Sequence, residues 1–122
     1  MNNIQFLYTT FSNRDDAKSV ITTLINEKLI ACANISNIES IFYWKDKMCY
    51  QDEVSVIIKT TSALLSEVIA RLESLHQYAI PCIANISLDG INQSFAKWVE
   101  DSVRSSSMRE INQEQIGGRI GL

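Results

Sequence analysis

The chain has 122 residues, of which 46% are hydrophobic and 20% charged, a balance that suits one folded domain and is too apolar for a disordered one. A formal charge of −3 and the absence of any Lys/Arg cluster argue against a nucleic-acid partner. The start MNNIQFLYTT has no basic stretch ahead of a long apolar run, and no segment reaches the roughly 18 apolar residues of a membrane span. A cytoplasmic, unanchored protein is therefore expected. Cys32, Cys49 and Cys82 lack the paired spacing of a disulfide scaffold or a structural zinc site, so reduced thiols are expected.

In chain order, Ile4 to Thr9 alternates with the two-residue period of a strand. A helix follows, capped by Ser12 or Asn13, with Asp15 and Asp16 at its positive start and Ala17, Val20, Ile21, Leu24 and Ile25 on one face. Ala31 to Trp44 and Met48 to Thr60 are rich in β-branched and aromatic residues and read as one long hairpin around Asp46. Ser62 to Leu75 carries a second apolar helical stripe, Pro81 interrupts, and Cys82 to Leu88 reads as a fourth strand. Asn92 then opens a third helix bearing Phe95, Trp98 and Val99. This order predicts an α+β fold of ferredoxin-like split β-α-β type, a four-stranded antiparallel sheet with an extended hairpin and a C-terminal helix. The domain is expected over residues 1–103, and residues 104–122, where the period is lost, are expected to form a mobile or loosely docked extension.

The hairpin is too long for its domain. Ala31 to Trp44 would extend about 45 Å at about 3.3 Å per residue, against a radius of gyration of about 13 Å for a chain of this size. The hairpin must bend at a bulge near Ser36 and Asn37, or else project beyond its sheet. Its tip carries Phe42, Tyr43, Trp44, Met48 and Tyr50, and burial against another subunit is expected in preference to fold-back onto the home core.

Several motifs in order resemble the CutA divalent-cation tolerance family: EKLIACANI at Glu27 to Ile35, SIFYWKDK at Ser40 to Lys47, EVSVIIKTT at Glu53 to Thr61, HQYAIPCI at His76 to Ile83, and WVEDS at Trp98 to Ser102. The resemblance implies a ferredoxin-like homotrimer held by strand pairing between subunits, and a link to tolerance of copper and other divalent cations. Two departures stand out. The family segment HPYxxPE has Gln77 in place of its first proline and Cys82 in place of its glutamate, and Tyr8 stands where one branch has a cysteine in a proposed copper set.

Cys32 and His76 match family positions, so with Cys82 as a softer substitute for the carboxylate they form a candidate metal site suited to Cu(I) or Zn(II). The plainer readings are a helix C-terminal role for His76 and small buried hydrophobes for Cys32 and Cys82. Cys49, near the turn, is expected to be the most exposed thiol. Tyr43, Trp44, Glu53, Lys59 and Tyr78 belong to the matched motifs and, with His76, are candidates to line a pocket between subunits; the plainer reading is a Glu53–Lys59 interface salt bridge with aromatic packing. No nucleophile elbow, phosphate loop or HExxH is present, so no enzymatic activity is expected. Two functions remain: a trimeric metal-responsive or metal-binding protein, and a trimeric scaffold or small-ligand module like the PII signalling proteins.

Overall fold

The structure, a computed structural model, describes residues 3–105. The elements are β1 (Ile4–Phe11), α1 (Arg14–Asn26), β2 (Cys32–Trp44), β3 (Lys47–Thr61), α2 (Leu65–Leu75), β4 (Ile83–Ser87) and α3 (Gln93–Ser102). The second helix begins three residues later than its apolar stripe suggests, because Ser62–Leu64 forms a 3-10 turn. The sheet order is β2-β3-β1-β4 and every pairing is antiparallel, the split β-α-β arrangement that the element order requires.

Strand alternation divides the residues between the two faces of the sheet. Leu7 and Phe11 of β1 stand beside Ile58 and Val54 of β3, and with Val56 they pack against Ala17, Val20, Ile21 and Leu24 of α1 and Val68 and Leu72 of α2. These side chains are almost fully buried, so the hydrophobic term that stabilises the fold is concentrated here. On α3, Val99 is fully buried, as is Ile4 of β1, and the helix lies against β1 and β3. Among the described residues no helix is long and apolar enough to cross a membrane.

Helix ends are set by local chemistry. Of the two candidate caps, Asn13 takes the role, its side chain accepting the Asp16 N–H at 2.9 Å. At the other end of α1, Leu29 N–H reaches Leu24 O at 3.0 Å and Lys28 N–H reaches Ile25 O at 2.9 Å, with Lys28 at φ 62°. This is a Schellman termination with lysine where glycine is usual. After α3, Arg104 N–H bonds Lys28 O at 2.9 Å and its guanidinium pairs with Glu67, tying the chain end to α1 and α2. The expected extension beyond that point, residues 106–122, lies outside the described residues.

The hairpin does not bend at a bulge. Its register runs unbroken from Cys32 opposite Lys59 to Trp44 opposite Lys47, Ser36 and Asn37 included. The link is a two-residue turn, Lys45-Asp46, with φ of 51° and 64°, the positive-φ geometry that matches strand twist in tight hairpins. Because β1 pairs only with Val54–Thr61 of β3, the part of the hairpin from Ile38 and Glu53 outward has no third strand beside it. That part projects about 20 Å at the usual rise per residue. Ile41, Tyr43, Met48 and Tyr50 are each more than half exposed, as is Trp44 at 53%.

Candidate functional site

The loop after α2 meets the base of the projecting hairpin. Leu75 ends the helix, and His76 turns to extended backbone while its N–H still bonds Leu72 O at 2.9 Å. The His76 ring then lies flat on Phe11, with centroids 4.4 Å apart and planes within 8°. Its Nε2 donates to Thr10 O at 2.8 Å, and its Nδ1 accepts the Tyr78 N–H at 3.2 Å. Both nitrogens are thus engaged by backbone groups, Nε2 as the donor and Nδ1 as the acceptor. The ring serves to place Tyr78, whose own ring leans against it at 5.1 Å.

Tyr78 donates its phenol proton to Glu53 Oε2, and Ser40 donates to Oε1 of the same carboxylate at 2.6 Å. Burial, reinforced by the neighbouring Glu53 charge, pushes the Tyr78 phenol well above the usual tyrosine range, so it remains a donor at every physiological pH. Around this pair opens a cleft of about 540 Å³, with Phe42, Trp44, Gln51 and Glu53 on the hairpin side and Tyr78 and Ile80 on the loop side. Register explains the hairpin wall: Phe42 stands opposite Cys49, Ser40 opposite Gln51 and Ile38 opposite Glu53, so these side chains and Trp44 share one face.

The structure brings together three of the residues expected to line a pocket, Trp44, Glu53 and Tyr78, and separates the other two. Tyr43 pairs with Met48 and points to the opposite face of the hairpin. Lys59 lies six residues along β3 from Glu53, about 20 Å away, so the two side chains do not meet within one chain. Lys59 is instead only 7% exposed, bonds Asn34 Oδ1, and sits 5.6 Å above the Phe6 ring. Opposite it stands Cys32, whose thiol is pushed up by burial, with the Lys59 charge pulling the other way.

A protein-family model described as CutA1 divalent ion tolerance protein matches residues 5–102. The chain belongs to this family. A divalent-cation tolerance protein CutA of Pyrococcus horikoshii is 36% identical over 98 residues, covering 80% of this chain and 96% of that protein. Among solved structures, CutA1 of Ehrlichia chaffeensis superposes with a TM-score of 0.81 at 39% identity, covering 84% of this chain and 96% of that one. CutA1 of Oryza sativa gives 0.80 at 31% identity, covering 84% and 95%.

A divalent-ion family invites a metal centre, and the candidate ligands do not supply one within a single chain. Cys32 opens β2 on one edge of the sheet and Cys82 precedes β4 on the other, three strand spacings or about 14 Å apart across the sheet and offset by about four residues along it. His76 has no nitrogen free without breaking a backbone bond. Among the described residues no three His, Cys, Asp or Glu side chains converge as a metal site. The thiols are also placed differently from expectation: Cys82 is the exposed one, whereas Cys49 is half-buried with its Sγ 3.7 Å from Lys47 O. Phe42, Gln51 and Ser40 went unrecognised as site residues, although the register that aligns them with Glu53 follows from centring the turn on Lys45-Asp46.

Proposed function

We propose that this CutA1-family chain acts in tolerance of divalent cations, copper among them, as a cytoplasmic homotrimer in which each projecting hairpin is covered by a neighbouring subunit. The observation that carries the reading is the hairpin itself: six large apolar side chains stand exposed on its two faces, more than a lone subunit normally leaves in water. The protein works by assembly and binding rather than catalysis. In support, His76, the one imidazole available for proton transfer, spends both nitrogens on backbone groups.

Any metal that the trimer engages is met by residues from more than one subunit, since one chain lacks a convergent ligand set among its described residues. The test is complementation of a strain lacking its own CutA1-family gene and grown on elevated copper. The parent chain restores growth, as do the Cys82→Ser and His76→Asn variants, while Phe42→Ser/Trp44→Ser does not. Full rescue by the hairpin double variant defeats the reading. A small-ligand role has a separate observation in its favour, the cleft beside Tyr78.

A further inference from the structure

We infer that the Asp89–Gly90 turn between β4 and α3 is a site of isoaspartate formation, and that the converted chain is a substrate for an S-adenosylmethionine-dependent methyltransferase that recognises isoaspartyl carboxylates.

The first argument is the pair of residues. The Gly90 backbone nitrogen attacks the Asp89 side-chain carboxyl carbon; a carbon–nitrogen bond forms, and a carboxyl oxygen leaves as water with the amide proton. Water then reopens the resulting succinimide at either carbonyl. Attack at the former main-chain carbonyl breaks its bond to the Gly90 nitrogen. The chain then runs through Asp89 Cβ and Cγ with a free α-carboxylate, which takes the methyl group as S-adenosylhomocysteine leaves. Nothing is oxidised or reduced on the way to isoaspartate, and its mass equals that of the parent. A side chain on the following residue crowds the attacking nitrogen, and glycine has none. Asp89 is the one aspartate or asparagine in the sequence that glycine follows.

The second argument is the fold. Backbone hydrogen bonds in a helix or sheet hold the nitrogen away from ring closure. Asp89 and Gly90 escape them, because β4 ends at Ser87 and α3 begins at Gln93. Both residues are exposed, and among the described residues neither the Asp89 carboxylate nor the Gly90 N–H makes a hydrogen bond or ion pair. Asp101, which the small Ser102 follows, is the contrast: it lies within α3 and its carboxylate pairs with Lys97 at 3.1 Å. The turn is also remote from the hairpin. Ser87 stands opposite Gln5 near the start of β1, and the hairpin projects beyond Phe11 at the other end, about 20 Å away at about 3.3 Å per residue. The inference therefore does not rest on what covers the hairpin.

The experiment ages the full-length protein at neutral pH and physiological temperature, beside a sample in urea. Electron-transfer fragmentation of the Asp89 peptide distinguishes the two linkages, and an isoaspartyl methyltransferase with labelled S-adenosylmethionine counts them. Isoaspartate should accumulate at Asp89 in the folded sample while the Asp101 peptide keeps its normal linkage. Gly90→Ala should slow conversion at least about tenfold, a barrier about 1.4 kcal/mol higher. Its circular-dichroism melt should match the parent's, because a Cβ at Gly90 meets nothing within 4 Å. Asp89→Glu, whose longer side chain closes a larger ring, should abolish the signal. Isoaspartate confined to the urea sample, equal rates in the parent and Gly90→Ala, or a converted turn that the methyltransferase leaves unlabelled overturns the inference.

Discussion

Replacing Phe42 and Trp44 together by serine tests what covers the hairpin. Phe42 is 38% and Trp44 53% exposed in the subunit, and whole aromatic side chains bury about 150–250 Å². About 200 Å² is therefore left for a neighbour to cover, worth about 5 kcal/mol per subunit at about 25 cal/mol per Å². That figure is an upper bound, since association also costs translational freedom and side-chain order. Retaining even a third of it shifts the dissociation constant more than tenfold. Light scattering from about 1 to 100 μM should give three times the chain mass of 13.8 kDa for the parent and a falling mass for the variant. Far-UV circular dichroism should be unchanged, because neither residue belongs to the helix-packed core. A parent of single-chain mass throughout, or a variant that holds the parent's mass at 1 μM, refutes the reasoning.

Lys28→Gly should stabilise the subunit by about 1 kcal/mol in urea melts, because Lys28 sits at φ 62° in the Schellman position that glycine adopts without strain; no gain would mean that the side chain contributes contacts of its own. Glu27, whose carboxyl Arg71 holds below its usual range through a two-pronged hydrogen bond, should add stability at neutral pH and lose it as pH falls through that lowered value. Glu27→Gln should accordingly melt lower than the parent at pH 7 and no lower at pH 2; a constant difference would point to packing instead. Ultraviolet titration of the parent should leave one tyrosine protonated well above the usual value of about 10, and Tyr78→Phe should abolish that fraction.

Much of the fold is legible in the sequence because its signals are local and periodic. The apolar stripes of α1 and α2 place the core correctly, since Leu24, Val68 and Leu72 are buried where the pattern puts them, whereas the alternation of β1 sets Leu7 with Gln5 and Thr9 against Ile4, Phe6 and Tyr8, and it is Leu7 that enters the helix-packed core. The first turn of the second helix escapes this reading, because Ser62–Leu64 keeps apolar spacing while bonding as a tighter helix. The choice between bulge and projection is likewise closed to pattern alone. A bulge in β2 shifts every later side chain to the other face, and Ser36 and Asn37 are compatible with either outcome.

The site was harder to read because sequence proximity along a strand is a poor guide to contact. Glu53 and Lys59 lie in one apolar run and on one face, yet their distance is fixed at about six strand steps, while Ser40, thirteen residues from Glu53, bonds it directly. The same rule separates Cys32 from Cys82: both flank strands, but the order β2-β3-β1-β4 puts them on opposite edges. Family position therefore carried the candidate ligands, and topology decided which could meet. What joins the Tyr78 loop to the hairpin is a chain of backbone-anchored contacts, Thr10 O to His76, His76 to the Tyr78 N–H, and Tyr78 OH to Glu53. His76 thus gains a positional role that needs no metal. Replacing it should disturb the cleft through Tyr78 even though the imidazole itself faces Phe11.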